Sequence, residues 1–290
     1  MIRIIDPRLL YSLLLVFTLT PYSSNSKTIF DKSMTEVSHG IYVYGSFSAH
    51  SLVLITNAGV IVTDPVNVEN AASMRKAISR ITPLPVKYVV YSHQHWDHVL
   101  GGQIFKNEGA EFVSHRNCIK HFIRRPHPDL VMPDRTIEED TSITLGQHTL
   151  ELQYYGLNHG DCMLVMHVKN SDILYVNDLV TPWSVGLGFM PDYDPIEWIR
   201  TLKELEQQTV WKRFIGGHGI PVAPKAALTE RREFMEALNS AVIKAIDNGE
   251  RFEKVYKNIE LPKKFHAMRG YNIQLQRAAE RLYHYHTMGW

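Results

Sequence analysis

The heptapeptide SHQHWDH occupies residues 92–98 and begins at the end of a nearly all-apolar and aromatic run, residues 86–92. That run predicts a buried central β-strand. His93 and His95 are two positions apart, so an extended backbone directs both imidazoles to one side. Asp97 and His98 come about one turn of loop later and can face a second ion. Imidazole nitrogen with carboxylate oxygen is a ligand set typical of zinc, with iron or manganese as alternatives. The pattern predicts a metal site at a strand end.

The segments around this motif alternate between strand and helix patterns. Short β-type runs predict strands at residues 40–47, 51–56, 60–63, 111–114, 143–145, 148–155, 163–168, 173–176 and 213–215. Helical spacing predicts helices at residues 69–81, 102–108, 117–124 and 195–207, a long loop at 126–135 and a mostly helical tail at 225–289. Asp194 is the predicted N-cap of the 195–207 helix. Two groups of strands interleaved with helices indicate a four-layer α/β arrangement.

The N-terminal residues have the layout of a signal peptide. Arg3 and Arg8 are followed by an apolar stretch at residues 9–19 and a small polar run at 23–26. We therefore expect a signal peptide at residues 1–26 and a secreted or periplasmic mature chain, residues 27–290, that folds as a single domain. The alternative is an apolar helix packed on that domain. Because the stretch is too short to span a bilayer permanently, no stable membrane anchor is expected after cleavage.

Charge and cysteine content disfavour some classes of protein. The chain has 31 Lys and Arg against 30 Asp and Glu, so it lacks the basic surplus of a nucleic-acid binder, and a small-molecule substrate is expected. Its two cysteines, Cys118 and Cys162, are too few for a disulfide scaffold. They either pair in an oxidising compartment or remain two small buried thiols.

Four separated segments together resemble the metallo-β-lactamase superfamily. Residues 93–98 match its H-x-H-x-D-H signature, and GLNHGD at 156–161 resembles the segment with its third histidine. LYVND at 174–178 resembles the strand that ends in a bridging aspartate, with Asn177 in place of the usual Gly. GGHG at 216–219 resembles the P-G-H-G turn, with Gly216 in place of Pro. The resemblance covers about residues 40–221 and implies a four-layer αββα sandwich, here with a helical C-terminal extension at 224–290.

The resemblance also implies a ligand set for two metal ions, zinc by default and iron or manganese otherwise. One ion is held by His93, His95 and His159, the other by Asp97, His98 and His218, and Asp178 bridges the two. A hydroxide between two such ions attacks a polarised carbonyl, and Asp97 is placed to orient it and to accept its proton. Asp64, which follows the 60–63 strand, is a candidate hydrogen-bond partner that would hold a ligand histidine from behind. The alternative is a plain turn carboxylate beside Pro65.

The residues after Asp178 bear on the substrate. The loop at 181–193 is rich in apolar side chains, and Trp183 and Phe189 are candidate substrate contacts unless the loop packs on the domain's own core. One large group of zinc β-lactamases has Cys at the position of Asp178 and Lys at that of Thr181, so β-lactam turnover is less favoured here. The leading hypothesis is a metal-dependent hydrolase of a lactone, thioester, ester or β-lactam. The alternatives are a sulfatase or phosphodiesterase, an iron-dependent sulfur oxygenase, and an accessory metallohydrolase of a quinoprotein system.

Overall fold

A computed structural model describes residues 33–46, 48–186 and 192–289 of the chain. The predicted signal peptide and Phe189 lie outside these described residues. In the part of the chain that is described, no helix is long and apolar enough to cross a membrane.

Eight α-helices lie in the described part of the chain. They are α1 (Val68–Ser79), α2 (Trp96–Val99), α3 (Gln103–Asn107), α4 (Cys118–Arg124), α5 (Pro195–Gln207), α6 (Lys225–Asp247), α7 (Phe252–Asn258) and α8 (Tyr271–Met288). A 3₁₀ turn, Lys263–Phe265, separates α7 from α8. Asp194 caps α5 as predicted, because its side chain accepts hydrogen bonds from the backbone N–H groups of Ile196 and Glu197. The single turn α2 was not predicted.

The first sheet has seven strands that follow one another in chain order. They are β1 (Ser33–Ser38), β2 (Ile41–Ser46), β3 (Ala49–Thr56), β4 (Gly59–Thr63), β5 (Val86–Val90), β6 (Glu111–His115) and β7 (Arg135–Ile137). Strands β1 to β4 pair antiparallel through tight turns. From β4 to β7 the pairing is parallel, because helices connect these strands and return the chain to the same edge.

The second sheet has six strands, also in chain order. They are β8 (Thr141–Leu145), β9 (His148–Tyr154), β10 (Leu164–Val168), β11 (Ile173–Asn177), β12 (Arg213–Gly216) and β13 (Val222–Pro224). Only the β11–β12 pair within this sheet is parallel, and α5 makes its crossover. The parallel pairs β4–β5 and β11–β12 bring their carboxyl ends to sheet edges from which loops can project.

Three apolar layers separate four layers of structure. Leu152, Tyr175 and other side chains fill the space between the two sheets. Met74 of α1 and Phe122 of α4 pack with the outer face of the first sheet. Trp198 of α5, together with side chains of α6 and α8, covers the outer face of the second. The order helix, sheet, sheet, helix confirms the predicted αββα sandwich, and α6 to α8 form its helical C-terminal extension.

A disulfide joins Cys118, the first residue of α4, to Cys162, just before β10. Of the two alternatives for these cysteines, the structure therefore shows the pair and not two free thiols. The cross-link connects the helices on the outer face of the first sheet to the loop that carries His159. Pairing of this kind is typical of proteins from oxidising compartments.

Replacing both cysteines with alanine is expected to lower the free energy of unfolding by about 2 to 4 kcal/mol, because the bond restricts the unfolded chain over a separation of 44 residues. Denaturant unfolding measures this difference. A reductant should destabilise the natural chain by a similar amount and leave the double variant unchanged. A natural chain that is insensitive to reductant under unfolding conditions would contradict the cross-link.

Candidate metal centre

The seven residues predicted as metal ligands converge at one edge of the two sheets. His93 and His95 follow β5, and Asp97 and His98 lie in the single turn of α2. Asp178 follows β11, the strand that precedes it in the motif. His159 lies in the loop between β9 and β10, and His218 lies in the turn after β12. Proximity in sequence therefore groups the four ligands at residues 93–98, and long-range pairing of the strands brings His159, Asp178 and His218 to them.

Three of these histidines and Asp178 form a first group of ligand atoms, which all lie within 4.8 Å of one another. Nε2 of His93 is 3.7 Å from Asp178 Oδ2, and Nε2 of His159 is 3.5 Å from the same oxygen. Nδ1 of His95 lies 3.2 Å from His159 Nε2. His95 therefore presents its Nδ1 atom to the group, whereas His93 and His159 present Nε2.

A second group joins Asp97, His98 and His218 to the same Asp178, again within 4.8 Å. Nε2 of His98 is 3.3 Å from Asp178 Oδ2, and Nε2 of His218 is 3.2 Å from Asp178 Oδ1. Oδ2 of Asp97 lies 3.7 Å from the His98 nitrogen and 3.6 Å from that of His218. Asp178 thus belongs to both groups, which is the position predicted for the bridging carboxylate.

The turn after β12 can lie close to Asp178 because residue 217 is glycine. A Cβ atom at this position would lie 2.0 Å from Asn177 Oδ1 and 2.1 Å from Asp178 Oδ1, far inside contact distance. Any larger residue would push the turn that carries His218 away from the shared carboxylate.

Buried nitrogens without partners show that the cluster fits a metal. Nε2 of His93 and Nε2 of His98 are buried and have no hydrogen-bond partner among the described residues. The same holds for Oδ1 of Asp178. Buried polar atoms are rarely left unpaired without a reason. Here the unpaired atoms converge, and their types are those that bind zinc and related ions. The cluster can therefore hold metal ions.

In His93, His95 and His218 the other ring nitrogen is held by a neighbouring group. Nδ1 of His93 is 2.9 Å from Ser92 Oγ, and Nε2 of His95 is 2.8 Å from Asp192 Oδ2. Nδ1 of His218 is hydrogen-bonded to the backbone carbonyl of Ser48. Such contacts fix the orientation of a ring and, with it, which nitrogen is presented to a metal.

Asp64 lies behind the cluster and is completely buried. Its Oδ1 accepts a hydrogen bond from the backbone N–H of Ser92 at 2.8 Å, and its Oδ2 accepts from Tyr175 Oη at 2.7 Å and Asn177 Nδ2 at 2.9 Å. Asn177 Nδ2 also lies 3.2 Å from His98 Nδ1. Asp64 was predicted as the partner of a ligand histidine, but its hydrogen bonds reach the histidines through Ser92 and Asn177.

Electrostatics divide the metal-free histidines into two classes. Burial lowers the pKa of His93 and His159 below the ordinary value for histidine. Burial also acts to lower the pKa of His98 and His218, but the nearby carboxylates of Asp178 and Asp97 outweigh it. The pKa of His98 is raised, and that of His218 rises to about 11. The burial that opposes ionisation of Asp178 is likewise outweighed by the histidines, which hold its pKa well below the ordinary value.

Metal binding is consequently expected to release protons. The raised pKa keeps His218 protonated at neutral pH, and a metal must displace that proton to bind Nε2. Affinity should therefore rise as the pH increases towards this raised pKa, by about tenfold per pH unit for the proton released. Titration calorimetry at pH 7 in buffers of different ionisation enthalpy measures the release. Equal heats in all buffers would contradict it.

A pocket of about 430 Å³ opens onto the cluster. Besides five of the cluster residues, Thr181, Ser184, Arg269 and Gln274 contribute to its wall. Trp183, a predicted substrate contact, is 41% exposed on the same loop but is not among the described residues that line the pocket. The prediction for Phe189 falls outside the described residues.

Sequence reasoning missed three residues around the cluster: Asn177 as an internal partner, Asp192 and Arg269. Asn177 was noticed only as a departure from the usual glycine. Asp192 resembles any acidic residue before a helix, and no local pattern relates it to His95. Arg269 lies in the helical extension, far beyond the last motif. Their long-range contacts leave no periodic signal in the sequence.

The fold and the cluster define a class of protein. The metallo-β-lactamase superfamily model matches residues 44–218, so the chain belongs to that superfamily. Among curated proteins, it is 24% identical over 258 residues to the 2,4-dinitroanisole O-demethylase subunit alpha of Nocardioides sp. (strain JS1661), a match that covers 83% of this chain and 75% of that protein.

Solved structures with a similar fold include an alkylsulfatase and a metallo-β-lactamase. The stereoselective inverting sec-alkylsulfatase Pisa1 from Pseudomonas sp. has a TM-score of 0.76 at 16% identity, over 89% of this chain and 51% of that one. The chain therefore spans about half the length of the alkylsulfatase. A metallo-β-lactamase from Pontibacter korlensis has a TM-score of 0.64 at 21% identity, over 71% of this chain and 99% of that one. At these identities the likeness shows the fold alone.

Proposed function

We propose that the chain is a dinuclear metal-dependent hydrolase that cleaves a carbonyl or ester-type bond in a small molecule. The observation that carries the proposal is the position of Asp178, whose carboxylate is shared by two groups of convergent ligand atoms. Most members of the superfamily to which the chain belongs are metal-dependent hydrolases. Zinc is the proposed metal, because the donors are imidazole and carboxylate, with iron or manganese as the alternatives.

In this proposal His93, His95 and His159 would hold one ion and Asp97, His98 and His218 would hold the second, with Asp178 shared by the two groups. Two divalent ions in such a site lower the pKa of water towards neutrality and polarise the bond to be cleaved. The outer contacts of the histidines keep their ligand nitrogens directed at the centre, so little reorganisation is needed when the substrate reacts.

Asp97 is the proposed catalytic acid–base group. Its side chain is 60% exposed, whereas that of Asp178 is 10% exposed, so Asp97 is the more accessible of the two cluster carboxylates that line the pocket. Burial acts to raise the pKa of Asp97, but His218 and His98 outweigh it and lower that pKa to about 2. The ionised carboxylate accepts the proton of the attacking water and returns it to the leaving oxygen, sulfur or nitrogen. The overall reaction adds water across the bond and yields an acid and an alcohol, thiol or amine.

Sulfate-ester hydrolysis is the second candidate. It is supported by the shared fold with a sec-alkylsulfatase and by a pocket that contains an arginine beside the cluster. The curated relative is named for a demethylation at oxygen, which also concerns a bond to oxygen. Phosphodiester cleavage, sulfur oxygenation with iron and an accessory role remain further outcomes of the test below.

We also propose that the chain works outside the cytoplasm. The signal-peptide layout at residues 1–26 and the Cys118–Cys162 disulfide support this location. Mass spectrometry of the exported protein should show a mature chain that begins near Lys27. An exported protein that retains residues 1–26 would contradict the signal peptide.

The activity is tested with the chain from Lys27, loaded with zinc, against β-lactam, lactone, thioester, aryl ester, aryl sulfate and phosphodiester probes. Turnover of one class that is lost with a chelator and restored by metal is expected, and that class identifies the bond. If a fully loaded protein turns over none of the probes, the hydrolase proposal fails and the oxygenase or accessory role takes its place. Oxygen consumption by the iron-loaded protein separates these two.

A further inference from the structure

Arg269 extends from the helical extension into the wall of the candidate active site. It lies just before α8, beyond the residues 44–218 that match the family, yet it lines the same pocket as Asp97, Asp178 and His218. Among the described side chains that line this pocket, it is the only lysine or arginine. The pocket therefore has a permanent positive charge that the metal ligands do not account for.

The side chain lies close to the turn that carries His218. A Cβ atom on Gly219, the next residue, would lie 3.1 Å from Arg269 Nη2 and 3.3 Å from Thr181 Cγ2. Gly219 also has a left-handed φ of +82°, which favours glycine. The guanidinium is thus packed against a residue adjacent to a proposed ligand, with the methyl group of Thr181 on the same side.

The backbone of Arg269 is fixed to the loop that follows Asp178. Its N–H donates to the carbonyl of Trp183 at 2.9 Å, and its carbonyl accepts from the N–H of Val185 at 3.0 Å and from Ser184 Oγ at 3.1 Å. These bonds hold Arg269 at a defined place relative to Asp178. A group whose position is fixed before binding recognises a ligand at a smaller entropic cost.

We propose that Arg269 binds an anionic oxygen group of the substrate, a carboxylate or a sulfate, and so makes the enzyme selective for anionic substrates. Guanidinium donors form a planar fork that matches two oxygens of such a group. Thr181, Ser184 and Gln274 supply neutral polar groups around it. The inference rests on the proposed function, because it names the substrate class of the same site.

The test compares Arg269→Gln with Arg277→Gln, which removes the same charge from an exposed position of α8 that does not line the pocket. The probes are 4-nitrophenyl acetate, which is neutral, and two anionic compounds, 4-nitrophenyl hydrogen succinate and 4-nitrophenyl sulfate. We expect Arg269→Gln to raise KM for an anionic probe about ten- to a hundredfold, the loss of a charge-assisted contact, and to leave the neutral ester unchanged. Arg269→Lys should recover part of the loss, and Arg277→Gln should leave KM unchanged for all three probes.

A binding measurement separates this inference from the hydrolase proposal. Calorimetry on the metal-free protein measures the affinities for succinate and for inorganic sulfate, and the affinity for at least one should fall in Arg269→Gln. The anion affected distinguishes a carboxylate from a sulfate group. If no probe is turned over but anion binding depends on Arg269, the hydrolase proposal fails and the anion site stands. Equal effects of Arg269→Gln on neutral and anionic probes, or unchanged anion binding, would overturn the inference.

Discussion

The Asp178→Asn variant is expected to lose metal-dependent turnover by about a thousandfold or more, because the metal centre contributes several kcal/mol to transition-state stabilisation and each 1.4 kcal/mol is a factor of ten. Asp178 is the one side chain common to both groups of ligand atoms. An amide of the same size keeps one oxygen but removes the negative charge that offsets two cations. The variant should therefore bind fewer metal ions as well as lose activity.

The measurement combines metal analysis after exhaustive dialysis with initial rates on the best probe. Asp247→Asn is a matched control, because it makes the same change at an exposed position at the end of α6. The control should keep the metal content and rate of the natural chain. An Asp178→Asn protein with full metal content and undiminished rate would show that the shared carboxylate does not organise the centre.

Asp64→Asn is expected to lower the free energy of unfolding by about 3 to 5 kcal/mol and metal affinity by about ten- to a hundredfold. The Asp64 carboxylate accepts three hydrogen bonds in a completely buried place. An amide offers one acceptor oxygen, so at least one donor on Ser92, Tyr175 or Asn177 would face an N–H group. Asparagine tolerates the left-handed φ of 38° at this position, so the change isolates the hydrogen bonds.

Tyr175→Phe provides the comparison for Asp64→Asn. It removes one of the three donors to Asp64, at a cost of about 1 kcal/mol, and leaves the contacts of Ser92 and Asn177 with the histidines in place. Denaturant unfolding and competition with a zinc chelator measure the two effects. If Asp64→Asn reduces stability but leaves metal affinity equal to that of Tyr175→Phe, Asp64 supports the core and does not position the ligands.

The sequence predicted the centre of the fold well because its signals there are local. Residues 86–92 are nearly all apolar or aromatic and lead into a motif with four candidate ligands, and the structure places β5 and α2 there. The edge strands β1, β7 and β13 were not predicted, since the two last have three residues each and show no periodicity. The loop predicted at residues 126–135 ends at Arg135, which is the first residue of β7.

The contacts in the site that the sequence did not predict were missed for a similar reason, because they have no local signal. His93 and His95 are related by a two-residue spacing, which is visible in any extended segment. The contacts of Asp192 with His95 and of Arg269 with the turn at Gly219 depend on how distant loops pack. Whether Cys118 and Cys162 pair also depends on tertiary geometry, which spacing alone could not provide.

The central claim is that this site holds two metal ions with Asp178 between them. Anomalous diffraction at the zinc edge from crystals of the zinc-loaded chain tests it most directly. The account predicts two peaks, one surrounded by His93, His95 and His159 and the other by Asp97, His98 and His218. A single peak that excludes one of these groups, or metal bound elsewhere with the cluster empty, would contradict it.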